Sequence, residues 1–156
     1  MLKTLAKSDI PFHCTIAGDG KDRGLLENMV DKLGLRNKVS FTGFVSEPEK
    51  LWQDCDVFCF PIRWQEPFGL VSLEAMAHGI PVVAFDLGGA REYLTDTVNG
   101  FAVPEKGDMN AAFSRIYEHH RTLLPALSQA ASKTAEENFS EENFINNFRK
   151  LTEGLK

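Results

Sequence analysis

No apolar run in this sequence exceeds four or five residues, so no segment is long enough to cross a bilayer as a helix. Its start lacks the basic, then apolar, then small-residue pattern of a leader, so secretion by a standard signal peptide is not expected. Cations are in the minority: 17 Lys and Arg stand against 22 Asp and Glu, a net charge of −5. Without a basic cluster, a generic nucleic-acid or anionic-membrane binder is disfavoured, while a local pocket for a small anion stays open. Cysteine is scarce. Cys14, Cys55 and Cys59 have spacings that suit neither a disulfide framework nor zinc, and His13, His78, His119 and His120 form no ligand pairs with them. They read as reduced, mostly buried thiols of a cytoplasmic protein.

What is present is an ordinary globular composition. Hydrophobic residues make up 43% of the 156, enough for one core, and Gly and Pro are near average usage. No repeat, linker or low-complexity tract divides the chain, so residues 1–156 read as a single domain.

Strand and helix signals alternate along it. FHCTIA (12–17), KVSFTG (38–43), DVFCFP (56–61), PVVAF (81–85) and a weaker GFAV (100–103) read as strands. Between them lie helical segments: one with Leu25, Leu26, Met29, Val30 and Leu33 on a face, stopped by Gly34; a short one over 48–53 with Ser46 as cap; one over 69–78 that is apolar nearly all round; and a short one ending near Leu94. Beyond Gly107 the pattern is helical only. Met109, Ala112, Phe113, Ile116 and Tyr117 form one stripe, and Phe144, Ile145, Phe148 and Leu151 another, entered through Ser140 as N-cap. The prediction is an α/β fold: a Rossmann-like, doubly wound parallel sheet of about five strands, helices on both faces and a helical tail.

In such a sheet ligands bind beyond the carboxyl ends of the strands. The richest loop there is Pro61 to Leu70. Gly69 lets a ligand approach the backbone, and the free N–H groups of Phe68, Gly69, Leu70 and Val71 open a helix whose dipole favours a phosphate or diphosphate. Glu66 lies just outside that N-terminus and Glu74 about one turn inside it. On a helix of mostly Leu, Val, Ala and Met, Glu74 is expected to be buried and in need of a partner, which a ligand rich in hydroxyls supplies.

Residues 66–77, EPFGLVSLEAMA, resemble the Glu-x7-Glu motif of the family-4 retaining glycosyltransferases. IAGDG (16–20), VSFTGFV (39–45), DVFCFPIRW (56–64), HGIPVVAFDLGGAREYL (78–94) and NGFAVP (99–104) follow that family in order. The likeness covers about residues 2 to 105. It implies the C-terminal, nucleotide-sugar-binding domain of a two-domain, GT-B enzyme, with a nucleotide sugar as donor substrate and no cofactor. By resemblance Glu66 is the catalytic candidate and holds donor-sugar hydroxyls, Glu74 holds the ribose diol, and the backbone of Phe68, Gly69, Leu70 and Val71 meets sugar and diphosphate. Val45 lies near the base and Gly18 flanks the cleft. Arg63, Gly88 and Gly89 are further candidates: Arg63 for a phosphate, the glycine pair for a wall of the site or a simple helix entry. Glu92 matches a family glutamate, with a structural contact as the equal alternative.

Three features read as decoys. Asp54-Cys55-Asp56 spells Asp-x-Asp but spans a helix end and a strand start, so no metal site is expected. Gly18-Asp19-Gly20 lacks the third glycine of a dinucleotide fingerprint. His119-His120 reads as surface.

The sequence also departs from the family. Members begin this domain with a strand carrying a Gly-Arg pair and then a Lys, whereas Met1-Leu2-Lys3-Thr4-Leu5 resembles the end of the following helix. The cations that neutralise the departing diphosphate, and the N-terminal acceptor domain, are then partners outside this sequence, and the chain alone is expected to transfer no sugar. In the whole enzyme the inner face of a membrane is an alternative location. Two further expectations follow: the stripe at 144–151 is partly exposed and supports weak self-association, and 12–17 pairs directly with 56–61 in the order 2-1-3-4-5. A non-catalytic nucleotide-sugar-binding module, and a flavodoxin-like domain for another phosphate ligand, are the competing functions.

Overall fold

Each β-rich run closes into a short strand and each glycine-terminated segment into a helix. The computed structural model describes residues 1–153. In chain order these are α1 (Leu2–Leu5), β1 (Cys14–Ala17), α2 (Arg23–Lys32), β2 (Val39–Gly43), α3 (Glu49–Trp52), β3 (Phe58–Phe60), α4 (Leu70–Ala77), β4 (Val82–Phe85), α5 (Ala90–Tyr93), β5 (Gly100–Val103), α6 (Asn110–Glu118), α7 (His120–Phe139) and α8 (Glu141–Glu153). The fold is α/β, with every ladder parallel and helices packed against the strands.

The five strands form two ladders rather than one. β1 pairs with β2, and β3, β4 and β5 pair in that order. The expected pairing of 12–17 with 56–61 is therefore corrected, since no ladder joins β1 to β3. The reason lies in the packing. Val30, Leu35, Val39 and Leu2 gather α1, α2 and the first ladder around their own cluster. The second ladder is clasped by α4, α5 and α7 on one face and α6 and α7 on the other. Sliding β1 onto β3 would pull each strand away from the helices that bury it.

The second ladder is the heart of the molecule. All four β4 residues are buried, and Met76 of α4, Leu127 and Ala131 of α7 and Met109 close over them. Asn99 fastens the turn before β5 to α7: its amide Nδ2 donates to the Tyr93 carbonyl at 2.8 Å and to Thr134 Oγ1 at 3.0 Å, and its Oδ1 accepts from the Thr95 N–H at 2.8 Å. Such a satisfied buried amide fixes the geometry between α5 and the ladder.

Two caps differ in outcome. Ser140 Oγ accepts the Asn143 N–H at 3.3 Å, as an N-cap should. Ser46 does not cap α3, because Pro48 takes the N-cap position with no side-chain bond. Along α8, Phe144, Phe148 and Leu151 are exposed and Ile145 is at the border of exposure, so that stripe stays open as expected. Among the described residues no helix is long and apolar enough to cross a membrane.

Candidate functional site

Because all five strands run the same way within their ladders, the loops after them are loops at strand carboxyl ends. The loop after β3 carries Glu66, and three contacts hold that residue. Its N–H donates to the Trp64 carbonyl at 2.8 Å, its carbonyl accepts from the Gly89 N–H at 2.9 Å, and its carboxylate Oε2 accepts from the Trp64 indole Nε1 at 3.1 Å. A half-buried carboxylate is thus aimed by an exposed tryptophan two residues earlier.

Gly69 follows in a left-handed conformation at φ +87°, its bare Cα against Phe60 and the Tyr93 hydroxyl. A Cβ there would lie 3.1 Å from each. That turn opens α4 without a side-chain cap, and the N–H groups of Phe68, Gly69, Leu70 and Val71 have no acceptor among the described residues. Free donors at the positive end of a helix dipole suit an anion. The Phe68 ring turns inward, 5.7 Å from Tyr93 and 5.6 Å from Phe139 between ring centres, so only its backbone is offered outward.

Glu74 is corrected. It is exposed rather than buried, with no side-chain partner among the described residues. Although α4 is apolar nearly all round, Ser72, Ala75 and Met76 are buried and Val71 and Leu73 pack half-buried against the core, whereas Leu70 and Glu74, one turn apart, share the outer face. The argument that burial obliges a ligand therefore falls. What remains is a carboxylate standing free one turn beyond the anion-suited terminus.

Arg63 reaches the other way. Its guanidinium donates to the carbonyls of Glu105 and Gly107 and sits over Phe85, tying the loop after β3 to the segment after β5. Gly18 and Val45 follow β1 and β2, and the Gly18 N–H donates to the Gly43 carbonyl at 2.7 Å, so they belong to the other ladder. Glu92 is exposed on α5. Between Trp64, Glu66 and Leu87 the free interior space is only ≈ 10 Å³, about one water. A ligand here would lie on an open shelf. Among the described residues no group of three or more His, Cys, Asp or Glu is placed to hold a metal ion.

Sequence reasoning missed two hydroxyls beneath this shelf. Tyr93 OH and Ser72 Oγ are buried with no hydrogen-bond partner among the described residues. Burial raises the Tyr93 pKa, the nearby Ser72 hydroxyl partly offsets the rise, and the Glu66 carboxylate adds to it. The only sequence signal was a tyrosine in the short helical run after Gly88-Gly89.

The sequence profile described as "Glycosyl transferases group 1" matches residues 1–136. The chain belongs to the group 1 glycosyltransferases. It is 44% identical over 100 residues to the uncharacterized glycosyltransferase MJ1607 of Methanocaldococcus jannaschii, covering 63% of this chain and 25% of that protein. With the mannosylfructose-phosphate synthase of Agrobacterium fabrum it shares 29% over 153 residues, 92% of this chain and 33% of that one. Among solved structures, Anabaena Alr3699/HepE in complex with UDP-glucose superposes with a TM-score of 0.85 at 27% identity, over 99% of this chain and 43% of that chain. This group 1 glycosyltransferase domain thus spans a quarter to under half of these three relatives. Its resemblance to the C-terminal domain of the family-4, GT-B enzymes holds in both sequence and fold.

Proposed function

We propose that this chain is the donor-binding half of a retaining glycosyltransferase, which moves a hexosyl group from a nucleoside-diphosphate sugar to an acceptor hydroxyl. The observation that carries the reading is the uncapped N-terminus of α4, with Glu66 fixed immediately ahead of it and Glu74 free one turn inside it. The diphosphate lies against the free N–H groups, the sugar toward Glu66 and the ribose toward Glu74. The HepE neighbour, solved with UDP-glucose, supports the donor class.

In the whole enzyme the bond from the anomeric carbon to the β-phosphate oxygen breaks, and a bond to the acceptor oxygen forms on the same face. The acceptor's proton leaves with the diphosphate. The helix N–H groups take up part of the negative charge that develops on the leaving group. The acceptor and further cations come from an N-terminal companion domain, the donor is a substrate, and no resident cofactor takes part. The open shelf fits a site that a second domain closes.

Calorimetric titration with UDP-, GDP- and ADP-sugars tests this. Saturable binding of one of them, weakened tenfold or more in Glu74→Ala, is the expected result. Indifference to all three would overturn the reading in favour of another phosphate ligand. A transfer assay with and without a supplied N-terminal half then separates an enzyme from a binding module.

A further inference from the structure

Gly88 and Gly89, at the entry to α5, press their bare Cα atoms onto the loop that carries Glu66. A Cβ on Gly88 would fall 2.3 Å from the Glu66 carbonyl oxygen and 3.0 Å from its nitrogen. A Cβ on Gly89 would fall 2.3 Å from the Pro67 carbonyl oxygen and 2.4 Å from the Phe68 Cα. All of these are backbone atoms, which cannot swing aside as a side chain does.

Turn geometry does not account for the pair. Gly88, at φ +52°, is in the left-handed region that favours glycine, and asparagine also adopts it. Gly89, at φ −68° and ψ −12°, has an ordinary helical conformation open to any residue. At Gly89, where the backbone conformation is open to any residue, the close approach of Pro67 and Phe68 leaves no room for a side chain. The two glycines also touch different parts of the loop. The nearest atoms to a Gly88 Cβ all belong to Glu66, and those to a Gly89 Cβ to the Pro67–Phe68 peptide that leads into the α4 terminus, although the Gly89 N–H also reaches the Glu66 carbonyl.

We propose that Gly88 and Gly89 are separate positioning residues, Gly88 setting Glu66 and with it the sugar, Gly89 setting the peptide at which the diphosphate docks. This rests on the donor-binding reading above. The Gly89 N–H, bonded to the Glu66 carbonyl, locks the two segments together.

The first test needs no ligand. Trp64 and Trp52 are the chain's two tryptophans, and the Trp64 indole N–H reports the Glu66 carboxylate directly. In Gly88→Ala that indole resonance should shift while the Trp52 resonance stays in place. A folded Gly88→Ala with an unmoved Trp64 indole overturns the positioning role. In the unaltered chain the Gly89 amide should exchange with deuterium at least tenfold more slowly than an open-chain amide. Exchange at the open-chain rate also overturns it, whether or not the variants fold. The second test titrates UDP, GDP and ADP beside their glucose conjugates. Gly88→Ala should leave nucleoside-diphosphate affinity within about twofold and abolish the extra affinity conferred by the sugar. Gly89→Ala should weaken nucleotide and nucleotide sugar alike, by tenfold or more. Equal losses in both variants would refute the division of labour. Failure of the unaltered chain to bind any of the six, with the indole shift present, would sink the donor-binding reading while the positioning of Glu66 stands.

Discussion

The guanidinium carbon of Arg63 sits 3.9 Å from the centre of the Phe85 ring. With its donors also committed to the Glu105 and Gly107 carbonyls, this cation serves as a tie between loops. Arg63→Ala should therefore lower stability by about 1 kcal/mol, the usual scale for an exposed cation–π contact with its hydrogen bonds. Nucleotide affinity should stay within about threefold. Urea unfolding beside a nucleotide titration decides it, and a tenfold affinity loss at unchanged stability would assign Arg63 to the phosphates instead.

The two glutamates should separate by ligand. Glu66→Ala should weaken a nucleotide sugar and spare the bare nucleoside diphosphate, and Glu74→Ala should weaken both. Hydrogen bonds to a charged group are worth about 1.5–3 kcal/mol, or roughly 10- to 100-fold in affinity. As Glu74 is exposed and has no protein partner among the described residues, its loss should not move the melting temperature. A clear drop in melting temperature would mean that Glu74 supports the fold.

Tyr93→Phe removes a buried hydroxyl that has no hydrogen-bond partner within normal geometry among the described residues, with the Ser72 hydroxyl nearby. An unsatisfied polar group in the interior costs about 1–3 kcal/mol, so the variant should be at least as stable as the parent. Denaturant midpoints compared at matched slope test this. Destabilisation beyond 1 kcal/mol would show that the hydroxyl is satisfied after all, through water or through Ser72.

Burial pushes the Cys59 thiol up to about 12 and raises Cys55 and Cys14 as well. An unfolded thiol ionises near 9, so between there and pH 12 the unfolded chain gives up protons that the folded chain keeps. Ionisation of Cys59 should leave stability unchanged well below pH 9 and lower it as pH rises above, by about 4 kcal/mol if the whole window is crossed. Tyr93 acts in the same direction. Unfolding curves at pH 7, 9 and 10.5 should show the decline, and Cys59→Val should flatten part of it. A stability that holds level to pH 10.5 would contradict the burial effect.

Phe144, Phe148 and Leu151 are 70%, 59% and 71% exposed on one face of α8. Weak, concentration-dependent self-association is the expected consequence, visible as a rising weight-average mass in sedimentation. Phe144→Glu combined with Phe148→Lys should abolish it and leave the fold intact. A parent chain that stays monomeric at every concentration would rule it out.

Local features were legible from residues alone. PVVAF and GFAV announce strands through unbroken apolar runs, Gly34 and Gly79 end helices, and Ser140 caps α8 by chemistry three residues wide. What escaped depends on contacts far along the chain. A helix with apolar residues on every side does not declare which face is inward, so its pattern does not reveal that Glu74 faces outward. The partner of Arg63 lies 42 residues away at Glu105. Whether β1 joins β3 is settled by helices packed on each, which no strand pattern encodes. The Glu66–Gly69 loop was readable because a helix terminus and its flanking acid are neighbours in sequence.

The cluster around Val30 and Val39 shares no residue with the three clusters of the second ladder. Among side chains, the hydrogen bond from Thr4 Oγ1 to Asp108 Oδ1, 2.9 Å and exposed, is one tie from α1 to the far half. A bond of that kind is worth about 1 kcal/mol, far less than a shared core. Cooperativity should therefore break there: the segment from α1 to β2 opens as its own unit, its amides exchanging at a lower free energy than those of β4. Gly18 and Val45, given by resemblance to the cleft wall and the nucleotide base, ride on that looser unit, whereas Glu66 rides on the rigid one. Specificity for the base would then be paid in ordering entropy and specificity for the sugar would not.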